Sequence, residues 1–278
     1  MESFFTFLER RVDDCSSLLC VGLDPHVAEL KSPTAAAALD FCARLVKAAA
    51  PYAAAFKPNS AFFEVFGAEG WTALKQVIAL VGDESNRIGS RIPVILDAKR
   101  GDIASTGQAY ARSAFENLGA DAITLNPYLG RDAIQPFMDD REKGVFLLCK
   151  TSNAGSADLQ DLPVLPAGLD KPLPLYSYVA SLASRWNEKN NVGLVVGATH
   201  PQVMAEIRAS APDLWFLSPG VGAQGGELGS ALAAGLRSDG KGMLVNVSRD
   251  ISRSEDPRKA AHTLRDQISE IKAGLTRN

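Results

Sequence analysis

A repeating alternation constrains this chain more than any other feature. Eight short apolar runs are separated by longer stretches with helical spacing: LLCVGLD (18–24), AAAFKPN (53–59), PVILDAK (93–99), AITLN (122–126), GVFLLCK (144–150), VGLVVGA (192–198), LWFLSPG (214–220) and GMLVNVS (242–248). Most lack polar alternation, which is how strands buried on both faces of a parallel sheet read. Helical spacing is clearest in 34–50, 103–118, 173–190, 201–210 and 256–274. Pro33, Pro201 and Pro257 stand near helix starts, where a missing N–H costs nothing. Eight such repeats in 278 residues predict an α/β fold, a closed (β/α)8 TIM barrel forming a single domain over 1–278. A doubly wound open sheet is the rival, because alternation suits both. One segment breaks the rhythm: 151–172, rich in Gly, Pro and Asp, is a long connection of the kind that usually carries function.

Composition narrows the partners. A formal net charge of −3 argues against a broad nucleic-acid surface, whose footprint would be basic; a small anion site is compatible with it. No apolar run approaches the ~20 residues a membrane helix needs. The start, MESFFTFLERRVDDCSS, lacks the basic opening of a signal peptide. The expectation is a soluble, cytoplasmic protein with neither a membrane nor a nucleic-acid partner. Cys15, Cys20, Cys42 and Cys149 form no C-x-x-C pair, and the last three lie in apolar runs as core thiols would. His26, His200 and His262 are scattered, so no metal site is expected.

Polar residues collect at the ends of the apolar runs. Asp24 ends the first, Lys57 and Asn59 the second, and Asp97 and Lys99 the third. Lys150, Thr151 and Ser152 follow the fifth, and Ser248 and Arg249 the eighth. A single strand-end charge is usually a solvated rim residue, but five strands ending this way describe the C-terminal mouth where barrels build their sites. Period-two alternation puts Asp97 and Lys99 on one side of the third strand. Gly101 permits a sharp turn, and Asp102 could cap the next helix. A lysine flanked by carboxylates keeps its proton, so it can stabilise a developing carbanion and then protonate it. After the seventh strand, Ser218-Pro219-Gly-Val-Gly-Ala-Gln224-Gly-Gly226 can aim backbone N–H groups and a helix N-terminus at an anion, with Arg249 adding a guanidinium fork.

Together these residues resemble the orotidine 5′-phosphate decarboxylase family, in its bacterial second type. The resemblance spans almost the whole chain, through VGLDP (21–25), FKPNSAFFE (56–64), LDAKRGDIAST (96–106), LLCKTSNAGS (147–156) and SPGVGAQGG (218–226). It implies cofactor-free, metal-free decarboxylation of orotidine 5′-phosphate (OMP) to UMP, with Lys57, Asp97, Lys99 and Asp102 as an alternating charge network. By the same resemblance Lys99 protonates C6, Asp97 lies beside the departing carboxylate, and Lys57 holds Asp97 and the ribose. Asp24 binds a ribose hydroxyl, Ser152 reads the base, and Pro219, Gln224 and Arg249 belong to the phosphate side. It further implies a homodimer in which Asp102 and Thr106 reach the neighbouring subunit's site. Ala154 departs from the family, where proline is common at this position. The D-x-K-x-x-D pattern also occurs in magnesium-dependent sugar-phosphate lyases of the same barrel, which leaves that activity as an alternative. A phosphate-binding sensor without turnover is a third reading, disfavoured by the intact charge network.

Overall fold

The computed structural model describes residues 1–222 and 226–275. Its main sheet has eight strands: β1 Leu19–Leu23, β2 Ala55–Pro58, β3 Ile95–Arg100, β4 Ala122–Leu125, β5 Gly144–Lys150, β6 Val192–Val196, β7 Phe216–Pro219 and β8 Met243–Val247. Each coincides with one of the apolar runs, β3 reaching one residue beyond its run. The order is β2-β1-β8-β7-β6-β5-β4-β3, and the pairs are parallel. Bridges Phe56↔Val94 and Asn59↔Asp97 join β2 to β3 and shut the ring, which decides for the barrel over the open sheet.

The helices form around this ring for local reasons. Thr34 caps helix Ala35–Ala49 by accepting from the Ala37 N–H, and Ala38, Cys42, Leu45, Val46 and Ala49 make its buried stripe. Pro201 and Pro257 open helices Pro201–Ser210 and Pro257–Leu275. The stretch 103–118 is helical over Ala104–Arg112 and continues as a π turn, Ser113–Asn117. Beyond the N-terminal helix and the four-residue turns, the spacing missed Gly67–Ile88, Arg131–Met138 and Leu228–Gly235. The first carries three glycines and the second an internal Pro136, both poor helix signals.

The N-terminal helix, Phe4–Cys15, plugs the bottom of the barrel. Ser3 caps it, and Phe4 and Phe5 meet Phe146 of β5 edge to face, with ring centroids 6.3 and 5.6 Å apart. Phe5 also stacks on Trp215 at 6.1 Å, just ahead of β7. Such pairs contribute ~0.5–1.5 kcal/mol each beyond the area they bury. A Cβ at Gly144, the first residue of β5, would run into the Phe4 ring, so only glycine fits there. The Arg11 side chain is buried and donates to the carbonyls of Ala50 and Ala53 at 2.7 and 2.8 Å, fastening the plug to the turn entering β2.

The segment 151–172 has its own small structure. Two short helical turns, Ala154–Ser156 and Ala157–Gln160, precede an antiparallel ribbon of Pro163–Val164 with Leu173–Pro174. Buried Lys150 reaches Asp161 at 2.5 Å, and the Gln160 amide clamps Thr151. The four cysteines are free and buried, and burial pushes the Cys20 thiol up to about 12. Among the described residues no helix is long and apolar enough to cross a membrane.

Candidate active site

The strand-end residues converge on one cavity of about 520 Å³ at the C-terminal mouth. Its wall includes Asp24, Lys57, Asp97, Lys99, Ser152, Pro219 and Arg249. At its floor the Asp97 carboxylate accepts from Lys57 Nζ at 2.7 Å and from Lys99 Nζ at 2.5 Å, one ammonium on each oxygen. Burial works against charge on both Lys57 and Asp97, and their pairing overrides it. Lys57 is held above the usual lysine range by Asp97 and Asp24, and Asp97 well below the usual carboxylate range by Lys57 and Lys99. Lys57 and Asp97 are enclosed, whereas the Lys99 side chain is 48% exposed and faces the cavity. A positive group is thus fixed by its carboxylate partner with one side open to a ligand.

The backbone that presents Lys99 is not a regular strand. Residues pair in register up to Leu96↔Ile123 and again at Arg100↔Leu125, so that Asp97, Ala98 and Lys99 oppose Thr124 alone. Lys99 lies in the left-handed region at φ 49°. Simple alternation therefore does not bring Lys99 to Asp97; a bulge does. The sharp turn expected at Gly101 is made by Lys99 and by Ala104, at φ 48°. Gly101 is required for another reason, because a Cβ there would lie 2.6 Å from the Asn126 carbonyl oxygen.

Asp102 and Thr106 do not line the cavity of their own chain. Asp102 is half-buried and accepts from the Ile103 N–H at 2.8 Å, while Ile103 holds the N-cap position expected for Asp102. Thr106 is exposed on the following helix.

On the anion side, Gly220 and Gly222 take left-handed φ values of 98° and 72°, and Gly222 accepts no side chain because Asp250 Oδ2 occupies that space. The loop folds on itself through Gly222 N–H to Gly226 O and Gly226 N–H to Gly220 O, both 3.0 Å. Gln224 lies outside the described residues. The helix following this loop is not free for an anion: Glu227 accepts from the N–H groups of Gly229 and Ser230 and supplies the negative charge itself. Arg249, which opens the short helix Arg249–Ser252, is a cationic group on this side with no ion pair among the described residues, whereas Arg253, also in the wall, is paired with Glu29.

Several polar groups of the wall have no role in the sequence reading, among them Asn153, Asp250 and Arg253. Thr124 and Asn246 line the cavity from β4 and β8, and Asn59 sits beside Lys57 on the rim with no role assigned. A lone polar residue within a doubly buried strand was the available signal for Thr124 and Asn246. Asn246 Oδ1 and Asp24 Oδ1 are buried and lack hydrogen-bond partners among the described residues. An unmet buried acceptor costs ~1–3 kcal/mol, so these two oxygens favour a ligand bearing hydroxyl or N–H donors.

Comparison with known proteins agrees with this geometry. Residues 17–264 match the family described as Orotidine 5′-phosphate decarboxylase / HUMPS. An orotidine 5′-phosphate decarboxylase of Roseiflexus castenholzii is 47% identical, over 96% of this chain and 97% of the relative. The structure of Leishmania donovani OMP decarboxylase superposes with a TM-score of 0.86 at 54% identity, covering 98% of this chain and 99% of that one. Leishmania donovani UMP synthase gives a TM-score of 0.88 at 55% identity over 98% of this chain, which spans 57% of that longer chain. With the match extending over most of its length and over the strands that build the cavity, the chain belongs to the orotidine 5′-phosphate decarboxylase / HUMPS family.

Proposed function

We infer that this chain decarboxylates OMP to UMP and CO2 in pyrimidine biosynthesis, and the observation that carries the reading is the Lys57–Asp97–Lys99 array with Lys99 facing the cavity. The C6–carboxylate bond breaks, CO2 leaves, and the electron pair stays on C6 as a carbanion with no adjacent carbonyl to spread it. Lys99 stabilises that charge as it develops and then donates its proton to C6, giving UMP. A preorganised ammonium in a water-poor site is the strongest device available for such a step. Asp97, held ionised by two lysines, lies beside the substrate carboxylate, and their repulsion raises the bound state relative to the transition state. Lys57 holds Asp97 and the ribose, and the unmet oxygen of Asp24 suits a ribose hydroxyl. Ser152 reads the base, Gln224 and Arg249 grip the phosphate, and Pro219 contacts the substrate. No cofactor or metal takes part in this scheme.

The same reading makes the enzyme a cytoplasmic homodimer of single-domain subunits. One contiguous core running from Phe4 to Ile268 supports the single domain. Asp102 and Thr106, away from their own cavity, are assigned to the neighbouring subunit's site; Ile103, Tyr110, Tyr128 and Leu129, exposed apolar groups on nearby segments, support burial against a second copy. The loops after β5 and β7 close over bound nucleotide, using phosphate binding energy remote from the reacting carbon.

The test is the loss of OMP ultraviolet absorbance on adding enzyme, with and without EDTA. Turnover unaffected by EDTA is expected, and Lys99→Ala should lower kcat by at least ~10³-fold. No OMP turnover by the unmodified chain, or undiminished kcat in the variant, would overturn the assignment.

A further inference from the structure

The bulge that presents Lys99 leaves a hydrogen-bonding problem. Three residues of β3 face one residue of β4, so the N–H groups of Ala98 and Lys99 are carried away from the carbonyls that a regular ladder would offer them. Both instead donate to the Thr124 side-chain oxygen, at 3.1 and 3.0 Å. The same hydroxyl donates its proton to Asp97 Oδ1 at 2.9 Å, the oxygen that also accepts from Lys99 Nζ. Thr124 is almost fully buried, and its oxygen has one donor and two acceptor positions, all used. One hydroxyl therefore ties together the carboxylate of Asp97 and the left-handed backbone of Lys99.

We propose that Thr124 is a positioning residue for decarboxylation, its hydroxyl fixing both the Asp97 carboxylate and the bulge that aims the Lys99 ammonium at the reacting carbon. This rests on the decarboxylase reading above and adds a residue to it. The hydroxyl also orders the Asp97 oxygens by function: Oδ1 is shared between Thr124 and Lys99, and Oδ2 is left to Lys57. The hydrogen bonds of this hydroxyl all run to β3, so removing it frees the bulge and the Asp97 carboxylate before any group on the phosphate side.

The experiment compares Thr124→Val, which keeps the shape and loses the hydroxyl, with Thr124→Ser, which keeps the hydroxyl and loses a methyl. A misplacement of about 1 Å in a catalytic group costs on the order of 10²-fold, so Thr124→Val should lower kcat by about that factor with KM for OMP within about threefold. Thr124→Ser should retain kcat within about fivefold, because the hydrogen bonds are what matters. A Thr124→Val enzyme with the kcat of the unmodified chain would overturn the proposal, as would equal losses in the valine and serine variants. If Thr124→Val does not fold, as judged by circular dichroism, Thr124→Ala replaces it and is read against Thr124→Ser in the same way. Absent turnover in the unmodified chain defeats the functional reading and this role with it; normal turnover there with an indifferent Thr124→Val defeats this role alone.

Discussion

The strand pair β3 and β4 holds a buried carboxylate at each end, and the two behave in opposite ways. Asp121, just before β4, and Asp97, on β3 at the mouth, are similarly enclosed at 6% and 8% exposure. Burial raises the Asp121 pKa despite the Arg91 guanidinium on one oxygen and the Val94 N–H, at 2.9 Å, on the other. Burial opposes Asp97 as well, yet Lys57 and then Lys99 hold it low. The difference lies in the partners. Arg91 is 65% exposed, so its charge acts through water, whereas Lys57 is itself enclosed beside Asp97. Depth alone does not decide whether a carboxylate in this barrel is poised for chemistry; the dielectric around its counter-charge does.

The largest effect expected from this contrast is on stability. Lys57→Met takes the enclosed counter-charge from Asp97, leaves it the half-exposed Lys99, and should cost up to ~3–5 kcal/mol, the usual penalty for removing one member of a buried pair. Arg91→Met, discounted for solvent screening, should cost no more than about 1 kcal/mol. Urea unfolding of both variants measures this, and equal losses would break the comparison. Next comes a test that the bottom is structural only. Gly144→Ala forces a methyl into the Phe4 ring and should destabilise by ~1–3 kcal/mol while leaving kcat for OMP unchanged. A thermal melt and a turnover assay on one preparation suffice, and a fall in kcat would show that the plug reaches the mouth.

The smallest effect concerns pH. A depressed folded pKa gives Asp97 stability that is present above the ordinary value of ~3.9 and lost as pH falls below it. A raised folded pKa gives Asp121 the reverse: its contribution is complete below that ordinary value and fades as pH rises through the folded pKa. From acid toward neutral pH, the penalty of Asp97→Asn should therefore grow and that of Asp121→Asn should shrink. Urea midpoints across that range read the two slopes, and slopes of the same sign would refute the opposed shifts.

Much of this was legible in residues. All eight barrel strands announce themselves as unbroken apolar runs, and Asp24, Lys57, Asp97, Lys99, Ser152, Pro219 and Arg249 stand where strand ends become the mouth. Helix Gly67–Ile88 was not legible, because tertiary packing of Leu74, Val77, Ile78 and Val81 outweighs the poor propensity of its glycines. Nor was the bulge at Lys99. Period-two counting assumes one residue facing one residue, and nothing in LDAKRGD marks that three will face Thr124. The Glu227 cap, which closes a helix end expected to bind an anion, was hidden for a similar reason: only the fold shows whose N–H groups its carboxylate meets.

The bridges between β2 and β3 lead to a different kind of conclusion. They close the ring at Phe56↔Val94 and Asn59↔Asp97, and the Lys57–Asp97 ion pair spans the same seam. The clasp of the barrel and the heart of its chemistry are one set of atoms. A partly opened ring thus has no intermediate grade of activity to fall back on: as the seam parts, the charge array comes apart with it. Turnover becomes a gauge of whether the circle is shut.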